Sequence, residues 1–172
     1  LIARTGLIAT KIAEIMQLDA NTIESISVGA SLHDIGKISI PIEILTKPGE
    51  LASHEWDFIK KHPEIGHQII SGTNFEKPVT DVVLLHHEHQ DGSGYPFGLM
   101  GDDIPLEAAV VSVADSLDAI AGVRPYRPAF SFSEAITIID GEASRYHREA
   151  RLAARHLVES GQLEMAQFKS QF

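Results

Sequence analysis

Apolar residues recur at helical spacing along most of this chain, and the pattern predicts one all-α core. Leu1, Ile8, Ile12, Ile15 and Met16 mark a first helix over 1–18, and Asn21 with Glu24 reads as the capping box of a second. The apolar face of that second helix, Ile23, Ile26 and Ala30, carries His33 and its neighbour Asp34 to the core side before Gly36 ends the helix. Residues 39–50 hold Pro41, Pro48 and Gly49 and read as a loop, after which Ser53 caps a helix to Lys61. Pro63 then starts a helix stopped by Gly72, which leaves His62 at the junction. A helix rich in Val and Leu covers 78–87, followed by a polar turn to Asp103 without strand character. Pro105 opens a run apolar on nearly all sides to Ala114, the expected central helix, with Asp115 directly after it. Ser131 with Glu134 caps a short helix ended by Gly141, and a last helix covers 144–160.

Six good metal ligands interrupt this apolar pattern: His33, Asp34, His62, His86, His87 and Asp115. Such groups are costly to bury unless something pairs with them. Neighbours on a helix diverge by about 100°, so the His33-Asp34 and His86-His87 doublets are placed to flank two ions rather than chelate one. Asp34 can bridge two metals with a hydroxide between them as nucleophile, and Lys37 can neutralise a phosphate. Asp91-Gly92-Ser93-Gly94-Tyr95-Pro96 suits a loop that holds a ligand over such a centre. Glu88 reads either as an orienting partner of a neighbouring imidazole or as a solvated carboxylate. His54, His67, His89, His147 and His156 read as surface or packing residues, and Arg145, Arg148, Arg151 and Arg155 as a solvated face.

Composition narrows the chemistry. The 172 residues suit a single domain, 1–172, and a net charge of -10 argues against nucleic-acid polymers as partners. Lys37, Arg124, Arg127 and metal ions can still make one pocket attractive to a small anion. With no cysteine, any metal rests on imidazole and carboxylate, a set suited to Fe, Mn, Ni or Zn. No membrane span or signal peptide is read in the sequence, so a cytoplasmic location without membrane contact is expected. The opening at Leu1, without Met, suggests the output part of a longer signalling protein with an upstream sensor or receiver domain.

His33-Asp34-Ile35-Gly36-Lys37, Lys61-His62-Pro63, His86-His87-Glu88, Gly94-Tyr95-Pro96 and Arg124-Pro125-Tyr126, in this order, resemble the HD-GYP domain. The resemblance spans roughly Arg4 to Ala135 and implies an HD-superfamily helical bundle with a GYP active-site loop. It further implies a bacterial phosphodiesterase that hydrolyses cyclic di-GMP to pGpG or GMP with two divalent ions, Fe or Mn favoured. By matching position, His33, Asp34 and Asp115 would hold one ion and His62, His86 and His87 the other, with Asp34 bridging. Asp34 and Lys37 would be catalytic, while Lys37, Gly94, Tyr95, Pro96, Arg124 and Arg127 would contact substrate. Tyr95 could also shape a surface for GGDEF-domain partners, and a homodimer is compatible. Relatives usually carry a further metal-ligating His where this chain has Leu1, and many add a Glu four residues earlier. A weakened first site would instead suit a module that senses cyclic di-GMP or docks GGDEF domains. Another HD phosphohydrolase, acting on dNTPs or guanosine tetraphosphate, fits the ligands but leaves the GYP loop unexplained.

Overall fold

The computed structural model describes residues 2–122 and 130–163; Leu1, Arg124 and Arg127 lie outside them. Among the described residues the helices are α1 (Ile2–Ile15), α2 (Ala20–Leu32), α3 (Ile42–Leu45), α4 (Ser53–Ile59) and α5 (His62–Ile70), then α6 (Lys77–Leu85), α7 (Leu106–Ala121), α8 (Phe132–Gly141) and α9 (Arg148–Glu159). Short 3-10 segments cover Ile35–Ser39, Gly101–Asp103 and Ala143–Arg145. The expected all-α class holds, the one extended feature among these residues being an isolated antiparallel bridge between Asp91 and Met100. No described helix is long and apolar enough to cross a membrane.

The continuous apolar run places α7 at the centre, buried from Ala108 to Ala114 and again at Leu117 and Ala121. Ile8 and Ile12 of α1, Ile26 of α2, Val82 of α6, Ile139 of α8 and Leu157 of α9 join it in one core. α1 packs on both α2 and α7, while α6 packs on α2, α5 and α7. Gly29 permits the close approach of α2 to α6, since a Cβ there would lie 2.7 Å from the Cβ of Val82. A half-buried ion pair, Arg4 with Asp118, ties α1 to α7, and the Thr5 hydroxyl donates to the same carboxylate at 3.0 Å.

Several boundaries differ from the sequence reading, each for a local reason. α2 is capped by Asp19, whose side chain accepts from the amides of Asn21 and Thr22 at 3.0 and 3.1 Å; Asn21 is already helical. Gly36 does not stop α2, which ends at Leu32, but sits inside the 3-10 segment Ile35–Ser39. Ala52 precedes α4 in place of Ser53, with Glu55 accepting from the Ala52 amide at 2.7 Å. α3 interrupts the 39–50 loop, Asp115 falls within α7, and the expected 144–160 helix divides into Ala143–Arg145 and α9. His147 caps α9 by accepting from the Ala150 amide at 3.4 Å. Arg151 and Arg155 do not form a solvated face: both clamp Asp140 of α8. The Ser131 and Glu134 capping box of α8 is as expected.

Candidate metal centre

Four helices deliver the six candidate ligands to one place. His33 caps the C-terminus of α2 and Asp34 follows; His62 is the first residue of α5; His86 caps α6 and His87 follows; Asp115 projects from the interior of α7. Two helix C-termini, those of α2 and α6, therefore meet at the site, and their partial negative charge favours cations there. His33, His62 and His86 are buried, and Asp34 and Asp115 are partly exposed at 22% and 26%.

The imidazoles are oriented by their own backbones. Nδ1 of His33 faces the Ala30 carbonyl at 2.6 Å, that of His62 the Ile59 carbonyl at 2.8 Å, and that of His86 the Val82 and Val83 carbonyls at 3.1 Å. A carbonyl can only accept, so each Nδ1 carries the proton and, in the neutral ring, each Nε2 aims a lone pair into the site. Nε2 of His62 and Nε2 of His86 stand 3.2 Å apart. Burial first, then neighbouring positive charge, holds His86 down at about 3, and burial also lowers His62 and, strongly, His87. Two neutral acceptors pointed at each other are satisfied by a cation between them.

Two groups of donors share His86, one of His62, His86 and His87 and one of His33, His86 and Asp34, each with ligand atoms within 4.8 Å of one another; Asp34 belongs to the second. Its Oδ2 accepts from the Lys37 ammonium at 2.7 Å, and its Oδ1, 3.4 Å from His62 Nε2, is buried with no hydrogen-bond partner. Burial would raise Asp34, but the charges of His33 and Lys37 prevail and lower it. Burial likewise opposes ionisation of Asp115, and the His33 hydrogen bond and charge overcome it. His33 is pulled down by burial yet raised overall, through Asp115 at 3.5 Å and through Asp34. The orphaned carboxylate oxygen, the opposed Nε2 atoms and the all-nitrogen-and-oxygen donor set fit divalent ions.

The glycine-rich loop folds back over this cluster. The Tyr95 amide donates to the His87 carbonyl at 3.1 Å, and the Tyr95 ring stacks on the His87 imidazole at 4.7 Å and 26°. Gly94 is required at the crossing, since a Cβ there would lie 2.4 Å from the His87 carbonyl oxygen. Lys37, Gly94, Tyr95 and Pro96 are thus gathered beside the ligands or on the loop above them, while Arg124 and Arg127 fall outside the described residues.

Glu88 takes neither expected role. It is 2% exposed, and its two carboxylate oxygens accept from the amides of Phe97 at 2.7 Å and Leu99 at 2.9 Å. The sequence signal was an acidic residue on the stem of a glycine-rich loop, whose returning limb needs acceptors for its amides. His89 is not simply a surface group: it contacts Ser93 at 3.0 Å and the Arg145 guanidinium at 3.3 Å.

A family model for the HD domain matches residues 2–150. The cyclic di-GMP phosphodiesterase response regulator RpfG of Xanthomonas campestris pv. campestris is 41% identical over 144 residues, 83% of this chain and 38% of that protein. A cyclic di-GMP phosphodiesterase of Thermotoga maritima is 40% identical over 148 residues, 84% of this chain and 40% of that protein. This chain therefore spans about two fifths of the length of these relatives. Among solved structures, the HDG"Y"P protein Bd1817 of Bdellovibrio bacteriovorus superposes with a TM-score of 0.77 at 21% identity, over 92% of this chain and 51% of that one. That likeness shows a shared fold.

Proposed function

The chain belongs to the HD domain family, with the HD-GYP motif set in order along it, and on that premise we propose that it hydrolyses cyclic di-GMP to pGpG, GMP or both. The observation that carries the reading is Asp34 Oδ1, buried and without a hydrogen-bond partner, 3.4 Å from Nε2 of His62 in the other donor group. His62, His86 and His87 would hold one ion and His33, Asp34 and Asp115 the other, with Asp34 shared and iron or manganese the preferred metals. Bound there, divalent ions supply water activation and charge neutralisation at phosphorus. The protein's own part is orientation and charge. The carbonyl-anchored imidazoles keep their Nε2 atoms facing inward, and the Lys37 ammonium, 2.7 Å from Asp34, offers a cation to the phosphodiester. The Tyr95 ring, laid on His87, walls the site beneath the loop. The names of the two relatives support cyclic di-GMP as the substrate, and a soluble output domain of a longer signalling protein is the setting we infer.

The test is chromatographic: anaerobically prepared protein loaded with Fe(II) or Mn(II) is incubated with cyclic di-GMP and with a panel of other nucleotides, beside a His86→Ala control. Metal-dependent pGpG or GMP that disappears in the control is expected. Tight binding of cyclic di-GMP without product would favour a sensing or docking module instead, the reading that Leu1 at the usual ligand position invites.

A further inference from the structure

We propose that Glu88 is a positioning residue, whose carboxylate latches the far limb of the 91–103 loop to the end of α6 so that Tyr95 stays on His87. The base of the loop is closed by the Asp91–Met100 bridge and by the Gly101 amide on the Gln90 carbonyl at 3.1 Å, and its tip is held on either side of Tyr95 and Pro96. On the near side the Tyr95 amide reaches the His87 carbonyl at 3.1 Å. On the far side the Phe97 and Leu99 amides reach Glu88 at 2.7 and 2.9 Å. The near bond and the base closure do not themselves tie residues 97–99 to the end of α6, beyond the crossing that the absence of a side chain at Gly94 permits.

The energetics make the latch close to all-or-none. A buried carboxylate is costly unless hydrogen-bonded, and among the described ion pairs Glu88 has no cation, so its two amide bonds are what its burial depends on. Opening the far limb would strip both bonds at once. Because Glu88 directly follows His87, the same turn of backbone that aims a ligand imidazole also aims the latch. Loop closure and imidazole orientation are thereby linked through three consecutive residues, 86–88.

The inference rests on the phosphodiesterase reading only for its kinetic arm. Zinc-loaded protein, diamagnetic and suited to NMR, is compared with Glu88→Gln, which keeps size but replaces one acceptor oxygen by a donor. Exchange of the Phe97 and Leu99 amides is expected to accelerate by about ten-fold, as for loss of one charge-assisted hydrogen bond. The nuclear Overhauser contacts between the Tyr95 and His87 rings should weaken with zinc stoichiometry unchanged. In the manganese-loaded enzyme KM for cyclic di-GMP should rise more than kcat falls, and Glu88→Gln should add nothing to a Tyr95→Ala variant. Glu88→Asp, which withdraws the carboxylate by one methylene, must show the same exchange signature should the Gln variant fold poorly. Unchanged exchange and ring contacts, a loss of zinc, or additive effects in the double variant would each overturn the proposal. If the wild-type enzyme does not turn over cyclic di-GMP, the functional reading fails while the exchange and ring-contact measurements still decide the role of Glu88.

Discussion

At Asp34 one carboxylate oxygen is paired with Lys37 and the other, buried, meets no donor, so the residue is only half satisfied by the protein itself. Asp34→Asn keeps the shape and removes the charge. The orphaned position then loses its attraction for a cation, and Lys37 loses its partner. Metal affinity is expected to fall by on the order of 100-fold or more, since even outer partners of a ligand are worth 10- to 100-fold. Titration of the ion-free protein with Mn(II), followed by calorimetry, checks this; retained affinity would remove Asp34 from the ligand set. This residue was legible in the sequence because a charged group on an apolar helical face has to be explained by a partner. So were His62 and His86, whose rings meet across 24 positions of sequence. Glu88 was legible only as an acidic residue on the stem of a glycine-rich loop and its role was not, because its partners are backbone amides of Phe97 and Leu99, and an amide carries no side-chain signature.

At the scale of elements, the centre depends on how closely backbones approach. Ile35–Ser39 lies directly on the start of α5, and a Cβ at Gly36 would stand 1.9 Å from the His62 carbonyl oxygen and 2.6 Å from the Gly66 nitrogen. Gly36→Ala must therefore push the 3-10 segment off α5 and draw Asp34 away from His62. Overpacking of this kind costs about 1–3 kcal/mol, so the variant should remain folded, melt earlier and bind fewer ions per chain. Thermal melting together with metal analysis by mass spectrometry tests both effects; full metal stoichiometry would show that the two elements can slide without disturbing the ligands. The sequence offered Gly36 as a helix stop, a common use of glycine, and only the position of α5 reveals the steric one. Capping was equally degenerate from sequence: Asp19 and Asn21 are both good N-caps, and the extended backbone of Asp19, at φ -69° and ψ 161°, decides between them. The Ser131 cap was unambiguous because Glu134 completes the reciprocal pair. Arg151 and Arg155 resembled a solvated face until α8 placed Asp140 opposite them.

Over the whole molecule, an apolar α7 supports a centre that gathers titratable imidazoles and carboxylates inside an acidic chain of net charge -10. In the ion-free protein this centre destabilises the fold on acidification. His62, His86 and His87 are lowered, chiefly by burial, so below pH 6.5 the unfolded chain takes up protons that the folded one refuses. Their contribution is intact above the unfolded value and drains as the pH falls, down to about 3 for His86. His33 acts oppositely, its raised value giving stability that is present below 6.5 and lost as the pH rises through that value. Asp34 and Asp115 are lowered, so their contribution is lost only as the pH falls below 3.8. Three lowered histidines against one raised make the net slope between pH 6.5 and 4.5 a loss on acidification. Divalent ions act on the same groups from the other side. At a free concentration 100-fold above Kd, one ion adds about 2.7 kcal/mol, on the order of 5–10 °C in Tm for a chain of this size. Manganese-loaded protein should therefore melt that much higher than chelator-treated protein at pH 7.5, and the gap should narrow at pH 5.5, where protons compete for the imidazoles. Differential scanning calorimetry at the two pH values reads both slopes at once. A gap independent of pH would mean that the stabilising ions sit on carboxylates alone, and would separate the histidine cluster from the metal centre.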